Sequence, residues 1–480
     1  MKLDPDYIIL NLKEFGKKEG LYLLKEYINN SNDPIIRKRA LENLGKIDYG
    51  KNFAFLEHLF LSDEDPYIRL LAGNILKESY STNKKLIRVL EYTLTKGENI
   101  LLKLFSFEVL SSIDSSKTRK IIIDYLKYFI STNFKDKPKK YPHKISELTG
   151  ATRIPEDIID VGINLILDDF YTKKLGYLST LKNGRIFALI CESANLNNIS
   201  DIIGFENLTN LEHITIQRNK IRSIAGIENL KKLKSLNLSH NRIEKIENLD
   251  NIIELEELDL SNNKIQIIEN LQSLTKLKKL LLNDNSIKFI ENLQLLKSLE
   301  ILDLSHNLIS EIKNLDNLVN LKRLNLSSNK IEHIKGLNNL TNLMWLYLND
   351  NHISQIEGLA SLRNLRGLYL SNNSIEGISS LENQTNLRKL ELSNNKINRL
   401  EGLNTLGELQ ELYLDNNSIS EVEGLEGLNK LIMLHLGRNR ISKFRNISIE
   451  SLKNLNFIFL NENPLNQKSF LEYQKRIKFP

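Results

Sequence analysis

Few residues in this chain of 480 have the types and spacing that catalysis requires. The eight histidines are scattered without an H-E-x-x-H pair, and the single cysteine, Cys191, has no second cysteine with which to hold a metal or form an internal disulfide. The chain also lacks a P-loop, a G-x-S-x-G turn and a G-x-G-x-x-G loop. We therefore expect no enzyme activity, no metal site and no cofactor.

One pair of carboxylates has a spacing that could suit hydrolysis. Asp259 and Asp303 occupy the same place in two L-x-x-L-x-L segments that lie two repeats apart. If these segments are strands of one sheet, the carboxylates are on the order of 10 Å apart, which is in the range of an inverting glycosidase pair. The pair would lie on a flat, exposed sheet, so we do not predict an active site there.

A second group of residues has the types that bind proteins. Early segments of the same pattern carry polar or charged residues between their leucines, whereas late segments carry aromatic residues, including Trp345, the only tryptophan. Trp and Tyr dominate the energetic centres of protein interfaces, and contiguous exposed aromatic residues mark interaction sites. Packing of these side chains on one another is the alternative. We predict an exposed protein-binding site formed by Trp345, Tyr347, Arg366, Tyr369, Lys389, Glu391, Tyr413, Met433 and His435.

A repeat of 22 residues must position these side chains. It runs from Leu211 to about Leu452, and the copy from Leu299 to Asn320 reads LEILDLSHNLISEIKNLDNLVN. With the first Leu as offset 0, apolar residues recur at offsets 0, 3, 5, 10, 13, 16 and 19. The L-x-x-L-x-L part predicts a short strand. Because such a strand buries little alone, copies must stack into one parallel sheet, each with a turn-rich or 3₁₀ return.

Two further offsets carry polar or small residues. Offset 15 is Gly or Asn in most copies, which predicts a left-handed turn. Ser380 is the exception at this offset, and Gln384 replaces the apolar residue at offset 19 of the same copy, so we expect a looser repeat from Leu365. Offset 8 is always Asn, which predicts a buried amide ladder that hydrogen-bonds the main chain. Its members are Asn219, Asn241, Asn263, Asn285, Asn307, Asn329, Asn351, Asn373, Asn395, Asn417, Asn439 and Asn463.

The pattern L-x-x-L-x-L-x-x-N-x-I-x-x-I-x-x-L-x-x-L-x-x resembles the leucine-rich repeat family. Its 22-residue form looks most like the repeat of the regulatory subunit of type 1 protein phosphatase, and bacterial internalins have a similar unit. The resemblance implies an α/β leucine-rich repeat solenoid with a parallel β-sheet on its concave face and turns on its convex face. Regulation of a protein phosphatase is one function that this resemblance suggests.

Residues 1–132 predict an all-α domain, because apolar residues recur every three and four positions in eight stretches between Tyr7 and Ile130. The motif Asp33-Pro34 returns as Asp65-Pro66, followed each time by an Arg and a small residue, and a fainter copy starts at Asn99. Asp and Pro suit the start of a helix. The motif resembles the second helix of HEAT-like repeats, which implies a short binding scaffold of paired helices.

The remaining boundaries follow from composition. Residues 133–144 predict a linker rich in Pro and Lys, 145–188 a helical junction and N-terminal cap with a degenerate first copy from Leu189, 189–466 the solenoid, and 467–480 a C-terminal cap. The chain has a net charge of +6, all of it in the first third. A nucleic-acid-associated protein is therefore the alternative from another class, although so small an excess is a weak argument for it.

The sequence as a whole predicts a non-catalytic scaffold or adaptor that binds a protein partner on the concave face. The charged N-terminus predicts no signal peptide, and no stretch reaches the ~20 apolar residues of a membrane span. A lone cysteine suits a reducing compartment. We therefore expect a cytoplasmic protein without membrane contact, and we leave the identity of the partner and the oligomeric state open.

Overall fold

The computed structural model describes residues 4–47, 52–81, 83–133, 153–443 and 452–476. The five lysines of the predicted linker lie outside these residues, as does Asn446. The chain divides into two compact units. The first comprises residues 1–186 and 203–208, and the second comprises residues 187–202 and 209–480. Among the described residues, none of the helices combines the length and apolarity needed to cross a membrane.

The first unit is mainly helical, as the spacing of its apolar residues predicts. Its described helices are α1 Pro5–Leu10, α2 Leu12–Phe15, α3 Lys17–Asn30, α4 Pro34–Ile47, α5 Phe53–Ser62, α6 Pro66–Tyr80, α7 Lys84–Lys96, α8 Ile100–Ser112, α9 Ser116–Asn133 and α10 Glu156–Phe170. Helix α3 packs on α4, α5 on α6, and α7 on α8. The helices are thus arranged as successive packed pairs along the chain.

The repeated Asp-Pro motif starts helices, as expected from its residue types. The carboxylate of Asp33 accepts a hydrogen bond of 2.8 Å from the backbone N–H of Ile35, and Asp65 accepts one of the same length from Tyr67. These bonds satisfy backbone donors that the first helical turn leaves free. The small residues at the matching positions, Ala40, Ala72 and Ser106, are fully buried, so they allow close approach at the helix pairs.

A short strand pair follows α10 and was not predicted from the sequence. Strands β1 Leu178–Lys182 and β2 Arg185–Ile190 are hydrogen-bonded neighbours, and the turn between them is Asn183-Gly184 with φ of 53° and 78°. Asn-Gly is the residue pair that a two-residue hairpin turn prefers. The turn signal is therefore present in the sequence, but β1 is short and the apolar residues of β2 are consecutive, so β2 shows no alternation of apolar and polar residues.

The second unit is the expected solenoid of short parallel strands. Each strand pairs in register with the next, so that Tyr347 lies beside Tyr369 and Leu346 beside Leu368. The strands of the repeats are β3 His213–Thr215, β4 Ser235–Asn237, β5 Glu257–Asp259, β6 Lys279–Leu281, β7 Ile301–Asp303, β8 Arg323–Asn325, β9 Trp345–Tyr347, β10 Gly367–Tyr369, β11 Lys389–Glu391, β12 Glu411–Tyr413, β13 Met433–His435 and β14 Phe457–Phe459. Helix α11, Gln467–Arg476, follows them.

The core of this unit is a continuous column of leucine and isoleucine. In the copy from Leu299, the apolar side chains at offsets 0, 3, 5 and 10 are fully buried. The return path is a series of tight turns, as shown by the i to i−3 backbone bonds from Leu318 to Leu315 and from Leu321 to Leu318, of 2.9 and 3.0 Å. These are 3₁₀-type bonds, so the spacing of apolar residues by three is explained by the return geometry.

The asparagine at offset 8 links neighbouring copies. The Nδ2 atom of Asn329 donates to the carbonyl oxygens of Leu304 in the preceding copy, at 2.9 Å, and of Leu326 and Ser327 in its own copy, at 3.1 and 3.2 Å. Its Oδ1 atom accepts a bond of 2.9 Å from the backbone N–H of Ile309. The donor and the acceptor atom of this buried amide are thus both bonded to the main chain.

Left-handed backbone occurs at two offsets, one expected and one not. Offset 15 is left-handed as predicted, and even Ser380 adopts φ of 58°. In the repeat from Leu365, where we expected looser structure, Gln384 is fully buried and its Nε2 donates to the carbonyl of Leu359 at 2.7 Å, while its Oε1 has no hydrogen-bond partner among the described residues. Offset 7, just before the asparagine, is also left-handed in the described copies with residues as different as Arg218 and His306.

The first copy has a different register from the one expected. Leu189 pairs with Ile214, so it occupies offset 3 rather than offset 0. Cys191 then takes the place of an offset 5 residue, and its carbonyl accepts the Asn219 amide at 2.8 Å. The expected alignment of Asn197 with offset 8 is therefore wrong, because the strand of this copy begins three residues earlier than the 22-residue period implies.

Candidate functional site

The strands of the repeats present two residues each on the open face of the sheet, at offsets 2 and 4. The residue between them is buried in each strand from β9 to β13. The predicted site residues at these offsets therefore share one face, the concave face expected for such a solenoid. They are Trp345, Tyr347, Tyr369, Lys389, Glu391, Tyr413, Met433 and His435. Arg366 is exposed and immediately precedes β10.

Side chains on this face stack on one another from β8 to β14. The Arg323 guanidinium lies 4.8 Å from the centre of the Tyr347 ring, and the rings of Tyr347 and Tyr369 are stacked at 4.4 Å with an angle of 12° between their planes. Lys389 continues the stack, with its ammonium group 5.8 Å from the Tyr369 ring and 4.6 Å from the Tyr413 ring. These are cation–π distances.

The stack continues toward the last strand. The ring of His435 lies 4.5 Å from that of Tyr413 and 4.2 Å from that of Phe459, with planes inclined by 24° and 22°. We call the whole series the stacked row: Arg323, Tyr347, Tyr369, Lys389, Tyr413, His435 and Phe459. Arg323 and Phe459 were not among the predicted site residues, because their role depends on the neighbour across the strand rather than on their own type.

Trp345 is half-buried rather than exposed as predicted. A Cβ atom added to Gly367, the next residue along the same offset, would lie 2.4 and 2.5 Å from atoms of the indole ring and 3.0 Å from the Tyr369 ring. The indole therefore lies directly against the backbone of β10, in space that any larger residue would occupy. The notch that Gly367 leaves is thus filled by Trp345 itself, which is why the indole loses part of its exposure.

A cluster of polar groups holds the centre of the stacked row. The ammonium group of Lys389 is 3.0 Å from a carboxylate oxygen of Glu411, and the Tyr413 hydroxyl donates to the same carboxylate at 3.0 Å. Burial and the neighbouring Tyr347 raise the pKa of Tyr369 to about 12. Burial, followed by the contact with Glu411, also raises the pKa of Tyr413. Both phenols are therefore neutral donors at neutral pH.

The two aspartates with possible catalytic spacing are not brought together. Strand β6 lies between their strands and places Leu281 between them on the open face. Asp259 accepts bonds of 3.0 and 2.6 Å from the backbone and hydroxyl of Ser261, and Asp303 accepts equivalent bonds from Ser305. These carboxylates hold their own loops. In the described ranges there is also no group of three or more His, Cys, Asp or Glu placed to hold a metal ion.

Comparison with known families supports the repeat assignment. Profiles described as "Leucine Rich repeats (2 copies)" match residues 209–251, 341–383 and 385–428. Two further profiles, "Leucine rich repeat" and "Leucine Rich Repeat", match residues 407–465 and 254–274. No curated protein matches the chain significantly.

Solved structures share the fold of the second unit. An internalin (InlF) from Listeria monocytogenes is 27% identical, with a TM-score of 0.57, over 65% of this chain and 92% of that one. The leucine-rich repeat protein LIC12759 of Leptospira interrogans is 25% identical, with a TM-score of 0.56, over 64% of this chain and 94% of that one. The repeat pattern, the parallel strands and these matches together show that the second unit of this chain is a leucine-rich repeat solenoid.

Proposed function

We propose that the protein is a non-catalytic scaffold that binds a protein partner on the concave face of its late repeats. The observation that carries this proposal is the stacked row, which runs without a break from Arg323 to Phe459. Leucine-rich repeat proteins generally act through such interactions rather than through catalysis.

The arrangement suits binding because its side chains are already held in place. Half-buried aromatic rings that are stacked in the free protein lose little conformational freedom when a partner covers them. Their phenol and ammonium groups can hydrogen-bond a partner, while the ring faces and the Trp345 indole provide apolar area. Packing alone would not require Tyr or Lys at these positions, since a leucine, Leu281, occupies the same face of the sheet in β6.

The test is a paired affinity capture with the full chain as bait. Trp345→Ala, Tyr369→Ala should lose a protein that the wild type retains, because interface anchors of this kind typically contribute about 2–4 kcal/mol to binding. Glu257→Ala, Lys279→Ala is the control, since these residues lie on the same face of the sheet in early repeats, at offset 2, the offset of Trp345. Retention of the same protein by all three baits would contradict the proposal.

Three finer assignments are also proposals. Regulation of a phosphatase has the 22-residue repeat in its favour, and a phosphatase catalytic subunit among the captured proteins would support it. The paired helices α3 to α8 support a HEAT-like module within residues 1–132 that offers a second binding surface. The single cysteine supports a cytoplasmic location, which imaging of the tagged full chain would check.

A further inference from the structure

The early repeats neutralise their own charges at the edge of the sheet. Offset 1, the residue before each strand, alternates between Glu and Lys from Glu212 to Lys322. Three lysines of this series pair with the glutamate of the preceding copy at 2.7 to 2.8 Å: Lys234 with Glu212, Lys278 with Glu256 and Lys322 with Glu300. A ligand that approaches this part of the edge therefore meets charges that are already paired.

The alternation stops where the aromatic residues begin. Offset 1 is Met344, then Arg366 and Arg388, and Arg363 lies three residues before Arg366. All three arginines are exposed. Among the residues that the structure describes, none of their guanidinium groups forms an ion pair or a cation–π contact. Three unpaired positive charges therefore lie at the edge of the sheet beside the stacked row.

The residues that precede the first leucine of these copies do not neutralise the arginines. In the copies from Leu343, Leu365 and Leu387, the residue before each leucine is an asparagine, and its amide is already used. The Nδ2 atoms of Asn342, Asn364 and Asn386 each donate at 2.9 Å to a carbonyl of the preceding copy. The same place in the copy from Leu409 is Glu408, which pairs with Lys430 at 2.5 Å. Carboxylates thus return to this edge only where a lysine accompanies them.

We infer that Arg363, Arg366 and Arg388, which we call the arginine edge, bind an acidic segment of the protein partner whose apolar side chains lie on Trp345 and Tyr369. The inference rests on the proposed function and names the chemistry of the partner. Guanidinium groups bind carboxylates through paired, charge-assisted hydrogen bonds. Exposed charges left unpaired beside aromatic anchors match the polar rim around the apolar centre of an interface.

A nucleic acid fits this surface less well than an acidic peptide. The floor of the sheet beside the arginine edge carries the carboxylate of Glu391, which would repel a continuous phosphate backbone. A peptide can place its acidic residues on the edge and neutral residues on the floor. Residues 149–480, which include all the repeats, also have balanced charge, with 40 basic and 40 acidic residues.

The test uses the full chain and a fluorescent peptide of alternating Glu and Leu, with a peptide of alternating Gln and Leu for comparison. Arg366→Glu, Arg388→Glu should weaken binding of the acidic peptide by roughly tenfold or more, since two attractive contacts become repulsive. Arg222→Glu, Arg242→Glu is the control. It changes the net charge equally at exposed residues of offsets 11 and 9, away from the strands, and should bind as the wild type does. Circular dichroism establishes that the variants are folded.

Several outcomes overturn the inference. They are absence of acidic-peptide binding to the wild type, equal binding by the arginine-edge variant, and equal or tighter binding of the Gln-Leu peptide. Tighter binding of single-stranded DNA, lost in the same variant, would also overturn it in favour of a nucleic acid. A captured partner that is lost in Trp345→Ala, Tyr369→Ala but kept in Arg366→Glu, Arg388→Glu would leave the proposed function standing and remove only the acidic segment.

Discussion

Single side chains in this solenoid stabilise it through hydrogen bonds to the main chain of the neighbouring copy. The amide at offset 8 serves carbonyls of two copies, and the residue before it is forced into left-handed backbone whatever its type. Non-glycine residues rarely adopt that conformation. The hydrogen bonds of the amide therefore offset the free-energy cost of the left-handed residue in each described copy. The asparagine is visible in the sequence, but the left-handed residue before it is not.

Replacement of one ladder amide should destabilise the solenoid. Asn329→Ala removes the donor to Leu304, Leu326 and Ser327 and the acceptor for Ile309. We expect the free energy of unfolding to fall by about 1–3 kcal/mol, because buried backbone groups are left unpaired. Urea denaturation measures the change. Asn338→Ala, at an exposed position of the same copy, is the control, and equal effects of the two substitutions would contradict the ladder.

Gly367 can be tested through the only tryptophan of the chain. Gly367→Ala places a Cβ atom about where the Trp345 indole now lies, so the ring must move away from the backbone and into solvent. We expect the tryptophan emission to shift to longer wavelength. Gly377→Ala is the control, since a Cβ there would meet nothing within 4 Å. Identical emission from both variants and the wild type would show that the indole does not depend on Gly367.

At the scale of elements, the sequence predicts what its periodicities encode. The spacing of apolar residues by three and four predicts the helices of the first unit, and the 22-residue period of the repeat predicts strands β3 to β13. Elements without a period are missed or misplaced. Strands β1 and β2 have only the Asn183-Gly184 turn to mark them, and the first copy is shifted because its extra residues interrupt the period before Leu211.

The sequence predicted that most residues of the stacked row share one face of the sheet, but it did not predict how they pack. Offsets 2 and 4 place aromatic side chains on one face, and the structure brings them together there. The partial burial of Trp345 depends on the absent side chain of Gly367, and the Lys389 contacts with two rings depend on rotamers. Neither is visible in a one-dimensional pattern. Of the arginine edge only Arg366 was predicted; Arg363 and Arg388 were missed because the edge is defined by missing carboxylates in neighbouring copies.

The first strand pairing of the solenoid can be followed through Cys191. Its thiol is fully buried, and burial raises its pKa to about 12. Because only the thiolate reacts readily, we expect no labelling by a thiol reagent at neutral pH in the folded protein and complete labelling in denaturant. Rapid labelling without denaturant would mean that the strand pair of Leu189 and Ile214 opens easily. A Cys191→Ser chain provides the blank.

At the scale of the whole molecule, the division into two units does not follow the order of the chain. Residues 203–208 belong with the helical unit although they come after the first strand of the solenoid. The hydroxyl of Tyr171 donates to the carbonyl of Ile203 at 2.7 Å, and Gly204 lies against Leu167. Both contacts tie the end of α10 to a segment that a simple cut between the units would remove.

The thermal stability of fragments of the helical unit should depend on whether they include residues 203–208. We expect residues 1–208 to unfold cooperatively and at a higher temperature than residues 1–186. The shorter fragment loses the Tyr171 hydrogen bond and the cover that Phe205 and Leu208 give to its core, and burial of such side chains contributes about 1.5–3 kcal/mol each. Thermal circular dichroism compares the two. Equal midpoints would show that residues 203–208 contribute nothing to the helical unit.

The alternating Glu and Lys at offset 1 give the early repeats a parity. A rearrangement that removes an even number of copies brings a lysine back beside a glutamate, whereas an odd number brings two like charges together across neighbouring strands. The apolar core offsets are the same from copy to copy, whereas the residues at offset 1 repeat only every second copy. Recombination within this part of the array is therefore expected to leave lengths that differ by multiples of two copies.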